Sequence, residues 1–232
     1  MSFLHLVRHP PLREVRLDTG SKNVLGVEAI RALANAMAPD PEAPVVVLSG
    51  HDRAFCAGLD MAALAESALA REDLLTAMAE LLLNVVTSPT RVVAVCEGHA
   101  VAAGAMLLLV ADVRIGAPGT YKIGFTEPRL GMPLPELPAL LARERLDRRR
   151  LHALTALGHT VNPEEAVHAG FLDRLVEPGT LDTTASAHAR HLAELSDAAY
   201  QGTVRSVWGT AIERMRVLVD AQIARRDAAR SA

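Results

Sequence analysis

An α/β layered fold is predicted by three features of this sequence. Val45–Leu48 and Val92–Cys96 are short uninterrupted apolar runs rich in β-branched residues, the pattern of strands buried on both faces. Each is followed by a small-residue turn containing glycine, Ser49–Asp60 and Gly98–Gly104, and each turn by an apolar or amphipathic helical stretch. The unit buried strand, glycine turn, helix therefore occurs twice. Alternating strands and helices bury their apolar faces against each other in layers, with ligands expected at the carboxyl ends of the strands, where the two turns lie.

The elements follow in order. Phe3–Arg8 and Arg13–Asp18 alternate apolar and polar residues as half-buried strands do, with Pro10 and Pro11 breaking the hairpin between them. Val27–Met37 places Ile30, Leu33, Ala34 and Met37 on one helical face, and Pro39, Pro41 and Pro44 end it. After the strand at Val45–Leu48, Met61–Val86 reads as one long helical region broken by Ser88 and Pro89. The next strand ends at Cys96, and Ala105–Ala111 is an apolar helix ahead of Asp112, which reads as a structural cap. Val113–Ile115 and Tyr121–Phe125 are short strands, and helices are expected over Pro135–Arg145 and Asp147–Leu157. Asn162 reads as an N-cap with Pro163 at the first helical position. Phe171–Val176 is the last strand. The remainder from Pro178 is helical, and Asp197–Ala229 is expected to pack on a neighbouring subunit rather than on its own core.

Composition narrows the function classes. At 232 residues the chain can bury roughly 70% of its unfolded surface without covalent help. Two cysteines, Cys56 and Cys96, in apolar or small-residue settings, and the absence of a signal-peptide pattern at the start, lead to the expectation of a reducing cytoplasm. The longest apolar run falls short of the ~20 residues that span a bilayer, so no membrane partner is expected. A net charge of −3 with one tryptophan, two tyrosines and four phenylalanines argues against a nucleic-acid surface. Phosphate-loop, dinucleotide, zinc and serine-hydrolase motifs do not occur, and the histidines show no ligand spacing to the cysteines, so no metal site is expected.

The second turn carries the strongest chemical hint. Ala102, Ala103 and Gly104 leave almost no side-chain bulk where a helix begins, so a ligand oxygen can approach the unpaired N–H groups and partial positive charge of that terminus. Such donors stabilise an oxygen that becomes negative during a reaction.

Five blocks in order then resemble the crotonase family, also called the enoyl-CoA hydratase/isomerase family: LDTGSKNVL at Leu17–Leu25, AFCAGLDM at Ala54–Met61, GHAVAAGAMLLLVADVRI at Gly98–Ile115, IGFTEPRLGM at Ile123–Met132 and PEEAVHAGFLDRLVEP at Pro163–Pro178. The resemblance implies a spiral of repeated ββα units over residues 1–196 and a C-terminal helical region, 197–232, at subunit contacts of a homotrimer or homohexamer. It implies an acyl-CoA thioester as substrate, coenzyme A entering with it and no other cofactor. Carried over by position, the backbone N–H groups of Ala57 and Ala103 form the oxyanion hole and Glu127 handles the proton. Cys56, Gly58, Leu59 and Asp60 lie beside the bound thioester, the turn from Ala57 to Asp60 at its adenine end.

Departures from the family pattern bear on the reaction. Hydratases of the family hold the attacking water with a second glutamate, and Met106 stands at that position here. The paired glycines are Ala102 and Ala103. One carboxylate suits double-bond migration better than water addition, so an enoyl-CoA isomerase is expected, with hydratase or a catalytically silent acyl-CoA binding protein as alternatives. Glu136 is a candidate second acid, although a solvent-facing glutamate at a helix start accounts for it more simply. Cys56 as a nucleophile implies a thioesterase, but the motif places no base beside it. His99 reads as a packed or pocket-wall histidine. Arg114 and Arg129 read equally as ion-pair partners and as phosphate contacts.

Overall fold

The computed structural model describes residues 3–231. Strands β1 (Leu4–His9) and β2 (Leu12–Leu17) form the antiparallel hairpin expected around Pro10 and Pro11. Helix α1 (Val27–Ala36) follows, and then a spiral whose turns each contribute one strand to a large sheet and one to a small sheet. The first turn is β3 (Val45–Ser49), β4 (Ala54–Cys56) and helices α2 (Met61–Glu66) and α3 (Ala68–Thr87). The second is β5 (Arg91–Cys96), β6 (His99–Val101) and α4 (Ala103–Val110), and the third is β7 (Val113–Gly116), β8 (Ile123–Gly124) and α5 (Glu136–Arg145). With β9 (Arg174–Leu175), the large sheet has the order β1-β2-β3-β5-β7-β9, parallel from β2 onward. The small sheet is β4-β6-β8, all parallel. This is the ββα repeat that the sequence blocks imply.

Burial on both faces explains the apolar runs. Val46, Leu48, Val92 and Ala94 face the main core, while Val45, Val47, Val93 and Val95 face a second cluster covered by helix α8 (Leu181–Ala193) through Leu181, Ala185 and Ala189. Two short helices, α6 (Leu151–Leu154) and α7 (Pro163–Ala169), complete the connection to β9. Helix α7 starts with a reciprocal capping box between Asn162 and Glu165, with Pro163 in its first turn as expected.

Three expectations need correction. The region Met61–Val86 is two helices, because Ser67 leaves helical geometry and its hydroxyl caps α3 by accepting from the Ala70 N–H. The helix expected over Asp147–Leu157 shrinks to α6, since Asp147 spends its carboxylate on the Arg149 N–H in a turn. The C-terminal helix α9 (Asp197–Ser231) packs on its own core, lying along α3 and touching α5, with Ala211, Ile212, Met215 and Val219 buried at helical spacing. Its start is pinned by Arg91, whose fully buried guanidinium donates to Asp197 (2.6 Å) and to the Leu195 carbonyl (2.7 Å) and lies over the Tyr200 ring. The Tyr200 hydroxyl in turn donates to Asp112, which also accepts from the Val92 N–H, so Asp112 is structural as read.

Candidate active site

The turn after β4 is held by the segment before α1. The Ala57 N–H donates to the Lys22 carbonyl (3.0 Å), the Leu25 N–H to Gly58 (2.9 Å), and the Asp60 N–H to Leu25 (3.0 Å). Leu25 and Leu59 are thereby partners in a single parallel bridge. In such a bridge the residue whose neighbours are bonded turns its own N–H to the opposite side, and the Leu59 N–H has no partner among the described residues. The expectation for Ala57 is therefore corrected: its N–H is already engaged, and the free donor of this turn is two residues on, at Leu59. Nothing in the sequence block marks this, because the difference arises from pairing with a segment more than thirty residues away.

Two other residues of the block have structural duties. Cys56 is fully buried; its thiol lies 3.9 Å from the Gly58 carbonyl oxygen, and burial pushes it up to about 12. A thiol so placed stays protonated near neutral pH and faces the core, which corrects its assignment beside the substrate and removes it as a nucleophile. The Asp60 carboxylate accepts the Ala62 N–H (2.9 Å) and caps α2, so its charge is spent on a helix start.

The two turns meet at the start of α4. A Cβ on Gly104 would lie 2.1 Å from the Cys56 carbonyl oxygen, so backbone seats directly on backbone there, and one on Gly58 would lie 3.2 Å from the Ala102 Cβ. Ala102 donates its N–H to the Gly124 carbonyl of β8 (3.0 Å) and adopts φ 51°, ψ −115°, a conformation that L side chains rarely take. That turn opens α4 with the Ala103 N–H as its first unpaired donor.

Glu127 follows β8 by three residues and opens a 3₁₀ turn, Glu127–Leu130. β8 pairs with β6, and its Gly124 carbonyl accepts from the Ala102 N–H, so Glu127 lies three residues along the chain from the strand that holds the N-cap of α4. The Glu127 side chain is buried, and its Oε2 has no hydrogen-bond partner. Burial holds its carboxyl above the ordinary 4.5, opposed by the backbone N–H groups of Glu127 and Thr126. A buried carboxylate oxygen left without a donor is costly to keep.

A cavity of about 330 Å³ brings Leu59, Met106 and Glu136 together with side chains of α3 and α9. Glu127 is outside this lining. Glu136 is half-exposed and ion-paired with Arg214 of α9 (Nε to Oε1 2.9 Å). The contribution of Leu218, Gln222 and Arg225 to the lining was not anticipated, although the spacing of Ile212, Met215 and Val219 carries its signal. The remaining candidates are structural. Arg114 pairs with Asp173 and donates to the Gly170 carbonyl (2.6 Å), Arg129 donates to Gly158 (2.6 Å), and an exposed His99 accepts the Lys122 N–H (3.0 Å). Among the described residues no helix is long and apolar enough to cross a membrane, and no group of three or more His, Cys, Asp or Glu is placed to hold a metal.

Comparison with known proteins matches this geometry to one family. The family model described as enoyl-CoA hydratase/isomerase matches residues 15–221. The probable enoyl-CoA hydratase EchA6 of Mycobacterium bovis is 30% identical over 186 residues, 79% of this chain and 73% of that protein. Among solved structures, the enoyl-CoA hydratase EchA3 of Mycobacterium ulcerans superposes with a TM-score of 0.90 at 30% identity, covering 97% of this chain and 99% of that one. A structure described as the Mtb enoyl-CoA isomerase gives 0.88 at 29% identity, covering 96% and 98%.

Proposed function

Because the chain belongs to the enoyl-CoA hydratase/isomerase family, we propose that it shifts the double bond of an enoyl-CoA thioester with Glu127 as the single proton shuttle. In this reading Glu127 takes a proton from the carbon between the thioester carbonyl and a 3,4 double bond. The electron pair delocalises onto the carbonyl oxygen, and the proton returns to carbon 4, leaving a 2,3 double bond. The N–H groups of Leu59 and Ala103 receive the developing negative charge, each contributing roughly 3 kcal/mol in a water-excluded site. The observation that carries the reading is the buried, unpartnered Oε2 of Glu127. A base raised by burial is closer to the pKa of a useful proton acceptor at neutral pH.

Met106 at the cavity wall, where the family's hydratases hold a second glutamate, supports isomerisation over water addition. The second reading is hydration with Glu136 as the second acid, favoured by its place on the same cavity as Met106; its pairing with Arg214 weighs against it. Assembly as a homotrimer or homohexamer in the cytoplasm belongs to the same proposal, and light scattering at micromolar protein checks the assembly. Incubation with 2-enoyl- and 3-enoyl-CoA thioesters, followed by mass and absorbance, separates the reactions: hydration adds the mass of water, isomerisation adds none. Hydration of 2-enoyl-CoA without movement of the 3-enoyl double bond would overturn the isomerase reading. Binding without turnover of either class would leave a silent binding protein.

A further inference from the structure

The cavity that reaches Leu59 and Met106 has apolar walls from Leu75, Met78 and Leu82 of α3 and Leu218 of α9; its polar lining is Glu136 at the start of α5 and a cluster at Gln222 and Arg225 where α9 crosses the first turns of α3. There Gln222, nine-tenths buried, donates through Nε2 to Glu72 (2.6 Å) and accepts through Oε1 from Arg225 (2.5 Å). The Arg225 Nε is 3.9 Å from the same Glu72 carboxylate. The Thr76 hydroxyl donates to the Gln222 backbone carbonyl (3.4 Å), and Arg230 pairs with Asp73 (3.2 Å), so the two helices are joined on the far side of the cluster. The gap between α3 and α9 therefore closes at Gln222.

We infer that Glu72, Gln222 and Arg225 form the end stop of an acyl-chain compartment, which limits this site to unsubstituted alkyl chains of medium length. The inference rests on the acyl-CoA reading above. At about 330 Å³ the cavity is at the low end for a ligand site and too small for a whole thioester with its nucleotide, so it fits the acyl part alone. Space of roughly 30 Å³ per water-sized group gives room for about ten carbons. Gln222 at the stop is nine-tenths buried with its amide nitrogen and oxygen both partnered, so a hydroxyl on the chain that reaches it would have to break a pair, and an alkyl chain does not.

Titration calorimetry of the full chain with saturated acyl-CoA thioesters from butanoyl to hexadecanoyl tests this without turnover. Affinity is expected to rise about fourfold per methylene and then stop rising near ten carbons. Gln222→Ala, which removes the stop, is expected to move that break to longer chains. Ala79→Phe, which fills the cavity from α3, is expected to move it to shorter ones and serves if Gln222→Ala does not fold. Affinity that climbs unbroken to hexadecanoyl, or a break that neither variant moves, overturns the end stop and leaves the acyl-CoA reading standing. No binding of any member overturns both.

Discussion

Leu25 and Leu59 face each other across a single parallel bridge, and this pairing decides which N–H of the turn after β4 is free. The neighbours of Leu59 are tied to Leu25, and the Ala57 N–H is tied to Lys22. Replacing the Leu59 amide by an ester, through incorporation of the matching α-hydroxy acid, deletes that donor and weakens the Gly58 carbonyl as the acceptor of the Leu25 N–H. Turnover is expected to fall by a factor of about 100 or more. The same exchange at Ala57 is expected to cost about 1 kcal/mol of stability through its lost hydrogen bond and to leave turnover nearly unchanged. The reverse pattern would return the donor to Ala57.

Glu127→Gln is expected to lower turnover about 100-fold or more while thioester affinity stays nearly intact. In the wild type kcat/KM should fall as pH drops through the raised pKa of Glu127, because the protonated carboxyl cannot accept a proton. Stability runs the other way. A carboxyl with a folded-state pKa above its unfolded value near 4.5 favours folding most below 4.5, and that contribution is lost as pH rises through the folded value. Glu127→Gln should therefore raise Tm at neutral pH, with the advantage fading in acid. Equal Tm differences at pH 4 and pH 7 would count against the buried-base assignment.

Met106→Glu is expected to raise hydration of a 2-enoyl-CoA by a modest factor and to slow isomerisation. Met106 is buried in the cavity wall, so a carboxyl there will tend to stay protonated and serve poorly as a base. Product mass distinguishes the two reactions. A wild type that already hydrates rapidly would shift attention to Glu136.

Ala102→Gly is expected to stabilise the fold. Holding a non-glycine residue at φ 51° and ψ −115° costs about 1–3 kcal/mol, and the added backbone freedom of glycine takes back about 0.5–1 kcal/mol. A net gain of about 1 kcal/mol corresponds to a Tm increase of roughly 2–4 °C in a chain of this size. A scanning calorimeter showing no rise would mean that Ala102 is relaxed where it stands.

The large sheet was legible because its strands are buried on both faces, so that Val45–Leu48 and Val92–Cys96 stand out as apolar runs. The small sheet was not. Strands β4 and β6 have three residues each and lie inside what reads as small-residue turns, too short for any periodicity to register, and only β8 falls in a stretch that reads as a strand, Tyr121–Phe125. Glu127, Ala103 and Met106 were named as candidates from local blocks. The Leu59 donor and the α9 wall of the cavity were not, because each depends on contacts across tens of residues: Leu25 with Leu59, and Thr76 with Gln222.

Because Leu218 and Gln222 of α9 line the same cavity as Met106, whatever fills that cavity also fastens the last helix of the chain. A ligand that binds only the closed arrangement adds RT ln(1 + [L]/Kd) to the free energy of peeling α9 from α3, about 2.7 kcal/mol at a hundredfold excess over Kd. Backbone amides near residue 220 should then exchange with deuterium about a hundredfold more slowly when the site is loaded. The tail of the protein thus becomes a built-in gauge of occupancy, readable with an inert thioester and no chemistry at all.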